Sequence, residues 1–282
     1  MIQGTTRLIA HIGYPTETFK SPLIYNPYFE QRSIDAVVVP MGCKPESYRE
    51  FLPLLFKLSN IHGALITMPH KTVTVELLDV ASKAVLVAGA CNAVRLGARG
   101  ELVGDLFDGE GFVRGVRRKG ISLEGARALV VGNGGVGSAI AASLAQANVG
   151  ELAIFDADPQ IMHRLGERLA SCYPATRVLT GSNDPARFDL VVNATPLGMK
   201  DNDPLPMDVS RLDSSTFVGE VVMKRETTPF VAAARAKGCR TQIGLDMLFE
   251  QIPAYLEFFG FPAATSDELR KIFHGRELVE SS

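Results

Sequence analysis

The sequence has few cysteines and no recognisable metal-ligand spacing. Its four cysteines are far apart and form no C-x-x-C pair, so we expect free thiols in a reducing cytoplasm. The five histidines form no H-E-x-x-H motif and no Cys/His cluster, which predicts that the protein binds no metal. These absences argue against a disulfide-stapled secreted domain and against a zinc enzyme.

The sequence also has little net charge and no long apolar run. A formal charge of −2 gives no reason to expect a nucleic acid or an anionic membrane as partner. No apolar run approaches the roughly 18 residues of a membrane span, and the first residues lack the basic-then-apolar layout of a signal peptide. With 282 residues, 46% hydrophobic and 21% charged, the chain has the composition of a globular protein and a length that fits two domains.

What the sequence does have is a glycine-rich loop between an apolar run and an alanine-rich helical stretch. The glycines fit G-x-G-x-x-G directly after the strand-like run 128–131, and an aspartate follows about 20 residues later. Glycines let the backbone approach a pyrophosphate, and a helix N-terminus offers N–H groups to it. The pattern predicts a Rossmann-type dinucleotide site formed by Gly132, Asn133, Gly134, Gly135, Val136, Gly137 and Asp156.

The N-terminal segment alternates between predicted strands and helices. Apolar runs predict strands at 7–12, 36–41 and 63–67, and the spacing of apolar residues predicts helices at 23–31 and 45–58. This alternation favours a parallel α/β sheet in a domain of its own. Because ligands bind beyond the carboxyl ends of parallel strands, the loops 16–22 and 67–71 are expected at one edge, as parts of a substrate pocket.

Five further motifs accompany the glycine loop. They are T-M-P-H-K at 67–71, C-N-A at 91–93, F-D-G-E-G-F at 107–112, N-A-T-P-L-G-M at 193–199 and G-L-D-M-L-F-E-Q at 244–251. In this order they resemble the shikimate dehydrogenase family, including its quinate/shikimate members. The resemblance implies a two-domain α/β fold, with a substrate-binding domain at 1–107 plus 245–282 and a doubly wound, NAD-binding Rossmann domain at 108–244.

An alcohol dehydrogenase that uses a nicotinamide must remove a hydroxyl proton as hydride leaves the same carbon, which requires a positioned acid/base group. Lys71 in T-M-P-H-K is the candidate, although a lysine must be partly buried in a cleft to act as a base at neutral pH. Asp108 is the candidate partner, and the two match the catalytic lysine and aspartate of the family. The sequence leaves open which of the two carries the proton, since a coupled pair titrates as a unit.

Four further residues match positions that face the substrate in the family. The side-chain amides of Asn92 and Gln251 can donate and accept, which suits recognition of ring hydroxyls, and Ser21 and Thr67 offer hydroxyl groups. No such support exists for His11, His62, His163 and His274, which are expected to be ordinary surface or packing residues, and His70 beside Lys71 is expected to be structural.

The sequence departs from the family pattern at three positions near the expected pocket. Phe19 replaces a serine of S-x-S-P, Phe107 lies within the stretch that is usually N-T-D-G, and Met223 replaces a tyrosine of V-Y-N-P. In the family, that serine and that tyrosine help to hold the substrate carboxylate. We therefore expect the reaction type to be retained with an altered substrate preference, unless Thr18, Lys20 or Lys224 compensates.

Cofactor choice is predicted from the end of the second nucleotide-binding strand. Asp156 can accept hydrogen bonds from the ribose hydroxyls of NAD and would repel the 2′-phosphate of NADP. Members that use NADP commonly have Asn-Arg-Thr here, and this sequence has no arginine. The pattern predicts NAD in preference to NADP, with Thr195 and Met199 in a loop over the cofactor. A helix-capping role for Asp156 is the alternative.

The leading hypothesis is an NAD-dependent dehydrogenase that acts on a shikimate- or quinate-like ring acid. An amino-substituted or otherwise altered ring is the alternative substrate, and a catalytically idle ligand sensor is the alternative function. The expected partner is a small molecule, without nucleic acid or membrane. The oligomeric state, monomer or homodimer, and the direction of the reaction stay open.

Overall fold

The computed structural model describes residues 2–17 and 19–280, with side chains as far as residue 274. The chain forms two compact units. The first contains Met1–Phe107 and Ile252–Ser282, and the second contains Asp108–Gln251. Of the residues named above, Thr18 lies outside the described part of the chain.

Strands and helices alternate along most of the chain. The strands are β1 (Arg7–Gly13), β2 (Ala36–Gly42), β3 (Ile61–Ile66), β4 (Val80–Ala81), β5 (Ala93–Leu96), β6 (Leu102–Asp105), β7 (Arg127–Val131), β8 (Glu151–Phe155), β9 (Arg177–Thr180), β10 (Leu190–Asn193), β11 (Phe217–Glu220) and β12 (Thr241–Gln242). The helices are α1 (Ser21–Gln31), α2 (Pro45–Leu55), α3 (Lys71–Val75), α4 (Lys83–Ala88), α5 (Asp108–Arg118), α6 (Gly135–Gln146), α7 (Pro159–Cys172), α8 (Pro229–Ala236), α9 (Gly244–Phe258) and α10 (Ser266–Glu280).

The first unit has a six-stranded sheet in the order β2-β1-β3-β5-β6-β4. Strands β1, β2 and β3 are parallel, as predicted, but β5 runs antiparallel to both β3 and β6. The sheet is therefore mixed, with β5 as an antiparallel strand on which the sequence made no prediction. The antiparallel pairing of β5 with β6 follows from the short turn between them, closed by a hydrogen bond from the Gly97 N–H to the Glu101 carbonyl (2.8 Å). A connection this short cannot carry the chain back to make a parallel pair.

The C-terminal part of the chain completes the first unit by packing against α1. The Tyr28 hydroxyl donates to the carbonyl of Pro262 (3.0 Å), and the rings of Phe29 and Phe261 lie 5.0 Å apart between centroids. Arg32 forms an ion pair with Glu268. Both chain ends thus contribute to one core.

The second unit has a six-stranded parallel sheet in the order β9-β8-β7-β10-β11-β12. This is the 3-2-1-4-5-6 order of a Rossmann fold, so the predicted α/β class and doubly wound sheet are confirmed. On one face of the sheet, Phe230 of α8 belongs to a buried hydrophobic cluster with Leu129, Val191 and Val218. The strand order reverses between β7 and β10, which is where such sheets bind ligands.

Helix starts in the second unit follow their local sequence. Asp158 caps α7 by accepting from the N–H groups of Gln160 and Ile161, and Thr228 caps α8 by accepting from the N–H of Val231. By contrast, Gly134 at the start of α6 makes no side-chain cap. None of the helices in the described part of the chain is long and apolar enough to cross a membrane.

Candidate active site

Backbone hydrogen bonds bring three predicted substrate residues together at the carboxyl edge of the first sheet. The Thr67 N–H donates to the Ile12 carbonyl (2.9 Å), which ties the loop after β3 to the end of β1. The Cys91 N–H donates to the Lys71 carbonyl (2.8 Å), and the Ile66 N–H donates to the carbonyl of Asn92 (2.8 Å). Thr67, Lys71 and Asn92 therefore share one edge, although Thr67 and Lys71 follow β3 and Asn92 precedes β5.

Gly13 allows the first and third strands to end in such close contact. A Cβ atom at this position would lie 2.4 Å from the Thr67 Cγ2 and 2.8 Å from the Met68 carbonyl oxygen. Any larger residue would push the two loops apart. Ser21 is the first residue of α1, which follows the loop after β1.

Asn92 has the features expected of a ligand-binding amide. It is 1% exposed, and its Oδ1 accepts from the Phe107 N–H (3.0 Å), which fixes the orientation of the amide. Its Nδ2 is buried without a hydrogen-bond partner among the described residues. A buried donor without an acceptor costs about 1–3 kcal/mol, a cost that a bound hydroxyl or carbonyl would remove.

His11, expected from the sequence to be an ordinary surface or packing residue, lies beside this edge. Its ring stacks on Phe19 with centroids 4.1 Å apart, and a Cβ at Gly13 would lie 2.8 Å from the tip of the Phe19 ring. Burial, and then the positive charge of Lys71, lower the pKa of His11 to about 4. The imidazole is therefore neutral at pH 7. The sequence carries no motif that would have revealed the stack.

His70, next to Lys71, is packed inside the first unit. It is buried, its Nε2 lies 2.8 Å from the Cys43 carbonyl, and its ring stacks on Tyr48 with centroids 3.9 Å apart. The Tyr48 hydroxyl in turn lies 2.6 Å from the Thr74 hydroxyl. These contacts hold the start of α3, and with it the backbone of Lys71.

Asp108 and Gln251 both lie in the second unit, where α5 packs against α9. Asp108 is the first residue of α5 and is buried. Gly111, one turn further along, would place a Cβ 2.7 Å from the Met247 carbonyl and 2.6 Å from the Cβ of Gln251. The Oε1 of Gln251 is buried and lacks a partner among the described residues. Like Asn92, Gln251 therefore retains unused hydrogen-bonding capacity.

The glycine loop has the shape that a dinucleotide requires. Gly132 has φ +94°, and a Cβ there would lie 2.7 Å from the carbonyl carbon of Ala194. A Cβ at Gly137 would lie 1.8 Å from the Gly132 oxygen, whereas at Gly134 it would meet no atom within 4 Å. Gly132 and Gly137 are thus required by packing. Gly134 instead faces open space at the start of α6, beside Gly135 and Val136.

Asn133 adds a second indication that the loop fits a ligand. Its side chain is buried, yet neither its Nδ2 nor its Oδ1 has a partner among the described residues. An amide that both donates and accepts can serve the phosphates or the ribose of a dinucleotide. The residues present therefore fit the group that the glycine spacing predicts.

The loop after β10 is held by a polar network. The Oδ1 of Asn193 accepts from both the N–H (3.1 Å) and the hydroxyl (2.6 Å) of Thr195. The Thr195 hydroxyl then accepts from the N–H of Leu197 (3.1 Å). Thr195 therefore lies in a fixed turn near Gly132, while the side chain of Met199 at the end of the turn is exposed.

The departures from the family pattern have different surroundings. Phe107 packs edge-on against Tyr255 and Phe258, with centroids 4.9 and 5.6 Å away, so it fills an aromatic cluster of the first unit. Phe19 lies in the His11 stack, and Met223 is more than one-third exposed in the second unit.

Comparison with known proteins identifies the family. The family model of the shikimate dehydrogenase substrate binding domain matches residues 11–94. The chain is 31% identical to Shikimate dehydrogenase (NADP(+)) of Rhodospirillum rubrum, over 98% of this chain and 100% of that protein. It is 35% identical to the enzyme of the same name from Rubrobacter xylanophilus, over 89% of each chain. This chain belongs to the shikimate dehydrogenase family.

A solved structure agrees with this assignment. The structure of Shikimate 5-dehydrogenase from Listeria monocytogenes, in complex with shikimate and NAD, superimposes on this chain with a TM-score of 0.88. The two sequences are 26% identical, and the match covers 96% of this chain and 97% of the Listeria chain.

The expected preference for NAD over NADP is wrong. The curated relatives from Rhodospirillum rubrum, Acidiphilium cryptum, Rubrobacter xylanophilus and Paracoccus denitrificans are all named NADP(+) enzymes. The prediction was based on Asp156, whose contacts in the structure are with the protein backbone. Asp156 Oδ2 accepts from the N–H of Asn133 (2.6 Å), and its Oδ1 accepts from the N–H of Asp158 (2.9 Å). Each oxygen thus accepts from a backbone N–H, a structural role for the carboxylate that the spacing in the sequence does not reveal.

The neutral state of His11 predicts how stability depends on pH. An unfolded His11 takes up a proton near its ordinary pKa of 6.5, whereas the folded residue does so only near 4. Its contribution to stability is therefore complete above about pH 6.5 and is lost as the pH falls toward 4. Between about pH 7.5 and pH 5 it should account for a loss of about 2 kcal/mol in the free energy of unfolding.

Denaturant unfolding of the wild type and of His11→Phe at both pH values measures this loss. The variant keeps a ring against Phe19 and should lose about 2 kcal/mol less than the wild type. His163→Gln, at an exposed histidine, is the control and should follow the wild type. Equal pH dependence in His11→Phe and the wild type would contradict the buried neutral imidazole.

Proposed function

We propose that the chain is an NADP-dependent dehydrogenase that interconverts a ring hydroxyl and a ring ketone of shikimate or a closely similar ring acid. The observation that carries this proposal is the placement of Lys71 at the edge of the first sheet, on the same loop system as Thr67 and Asn92. The names of the curated relatives support both the substrate and the cofactor.

In this proposal Lys71, at the edge of the first sheet, moves the proton. Lys71 takes the hydroxyl proton in the oxidative direction and returns it in the reductive direction. The partly buried position of Lys71 and the backbone contacts that fix the start of α3 support this role. Asp108 is proposed as its partner on the strength of the family match alone.

The neutral polar groups are proposed to orient the ring. The unused Nδ2 of Asn92 and the unused Oε1 of Gln251 are complementary, since one donates and the other accepts. Either can pair with a ring hydroxyl, and the hydroxyls of Ser21 and Thr67 can extend that recognition.

The second unit is proposed to bind the nicotinamide dinucleotide, which supplies the hydride acceptor or donor when it is bound. Gly134, Gly135 and Val136 would present their backbone to the pyrophosphate, and the amide of Asn133 would meet its phosphates or ribose. Thr195 and Met199 would line the same crevice, because β7 and β10 flank the point where the strand order reverses.

A small-molecule substrate and a cytoplasmic location complete the proposal. All four cysteines are free thiols, which supports a reducing compartment.

Substitution of Lys71 tests the catalytic proposal. Lys71→Met keeps the aliphatic stem and removes the titrating group, so kcat for NADP-linked oxidation of shikimate should fall by about 10²–10⁴-fold. Lys57→Met, at an exposed lysine of the same unit, should stay within about twofold of the wild type. The assay should include quinate and 3-aminated ring analogues, each with NADP and with NAD. Unchanged turnover by Lys71→Met would contradict the assigned role.

Substitution of Gly134 tests the cofactor proposal. A methyl group at this position meets no protein atom, so Gly134→Ala should change the free energy of unfolding by less than about 1 kcal/mol. It should nevertheless weaken NADP binding at least about tenfold, because the methyl group occupies the space proposed for the pyrophosphate. Gly132→Ala should instead destabilise the unit itself. Titration calorimetry with NADP measures the first effect, and wild-type affinity in Gly134→Ala would overturn the proposal.

A further inference from the structure

Glu220 is a buried carboxyl group that the proposed reaction does not use. It is the last residue of β11 and is 0% exposed. Among the described residues, no ion pair neutralises it. Burial raises the pKa of Glu220, and the hydrogen bonds that it accepts oppose this effect. A buried carboxyl group is costly unless its oxygens are well supplied with donors, so its retention calls for an explanation.

The donors around Glu220 come from three separate segments. The Nδ2 of Asn193 lies 3.0 and 3.1 Å from the two carboxyl oxygens, and the Thr228 hydroxyl donates to Oε2 (2.8 Å). The N–H groups of Val221 and Val222 donate to Oε1 (2.9 and 3.0 Å). One carboxyl group thus joins the end of β10, the stretch after β11 and the start of α8.

The contact with Asn193 extends to the loop after β10. Because Glu220 holds the Nδ2 of Asn193, the Oδ1 of that amide points toward Thr195 and accepts its N–H and hydroxyl. The same Nδ2 also donates to the Leu197 carbonyl (3.0 Å). If the amide were released, the turn at 195–197 would lose its anchor.

Thr228 supports the same loop from the other side. Gly198 has φ +102°, and a Cβ there would lie 3.4 Å from the Cβ of Thr228. Thr228 also accepts from the N–H of Val231 at the start of α8. The loop is therefore fixed through Asn193, and its residue Gly198 lies beside Thr228, which itself donates to Glu220.

We infer that Glu220 is a positioning residue for the cofactor: it fixes Asn193, and through Asn193 it holds the turn at 195–197 in the conformation that receives the dinucleotide. The inference rests on the proposed function in one respect, namely that this turn faces the cofactor. Glu220 itself is not placed in contact with substrate or cofactor.

Glu220→Gln is the variant that tests the inference, because it keeps the shape of the side chain and replaces one acceptor oxygen with a donor. We expect the dissociation constant of NADPH, measured by its fluorescence on binding, to rise about tenfold or more. The KM for the cofactor should rise in parallel, while kcat at saturating cofactor stays within about threefold of the wild type. In the protein without cofactor, the amides of Thr195 and Leu197 should exchange hydrogen faster.

Two threonine variants provide a milder test and its control. Thr228→Val removes one donor to Glu220, together with the cap of α8, and should raise the NADPH dissociation constant by about two- to fivefold and speed amide exchange at Thr195. Thr216→Val also removes a buried hydroxyl, one that donates to the Phe188 carbonyl (3.0 Å) outside this network, and should bind NADPH like the wild type. If Glu220→Gln does not fold, the comparison of these two variants decides the matter.

The possible results separate the inference from the proposed function. Wild-type NADPH affinity and wild-type amide exchange at residues 195 and 197 in Glu220→Gln and Thr228→Val would overturn the inference. A wild-type protein that binds neither NADPH nor NADH would overturn the proposed function, and the exchange rates would still show whether Glu220 holds the turn. Equal loss of affinity in Thr216→Val and Thr228→Val would mean that the effect comes from general destabilisation and not from the contacts of Glu220. That result would contradict the inference.

Discussion

Both units depend on close backbone contact at the carboxyl end of their first strand. After β1, a Cβ at Gly13 would collide with Thr67, and after β7, a Cβ at Gly132 would collide with the backbone of Ala194. In each case the glycine lets the loop of one strand rest on the loop of its neighbour. Parallel strands already place their loops at one edge, and the missing side chain brings those loops within hydrogen-bonding range. The positions of Thr67 in the first unit and of Thr195 in the second follow from this constraint.

Polar groups near these edges fall into two kinds. Asp156 and Glu220 accept hydrogen bonds from backbone or side-chain donors of their own unit, and these bonds hold the loops in place. Asn92, Asn133 and Gln251 are buried with amide atoms that remain unpaired among the described residues. Because unpaired buried amides are costly, they mark the places where a ligand would complete the structure. The distinction separates residues that hold the site from residues that would touch its ligands.

The sequence predicted what depends on local pattern and missed what depends on contacts between distant segments. The α/β class, the Rossmann-type sheet and the family follow from strand-like runs, glycine spacing and ordered motifs. The direction of β5 was missed because alternating elements do not record how a short strand pairs. His11 was treated as ordinary packing because its stacking partner, Phe19, lies in a loop. The cofactor was misjudged because spacing located the carboxylate of Asp156 without revealing the two N–H groups that occupy it.

The central claim is that the two sheet edges form the binding sites, one for the ring acid and one for the dinucleotide. Hydrogen–deuterium exchange of the wild-type protein, measured with NADP alone and then with NADP and shikimate, tests it most directly. NADP should slow exchange in the segments 132–137 and 194–199, and shikimate should add protection at 67–71 and 91–93. Protection confined to other segments, or no protection from either ligand at saturating concentration, would contradict the account.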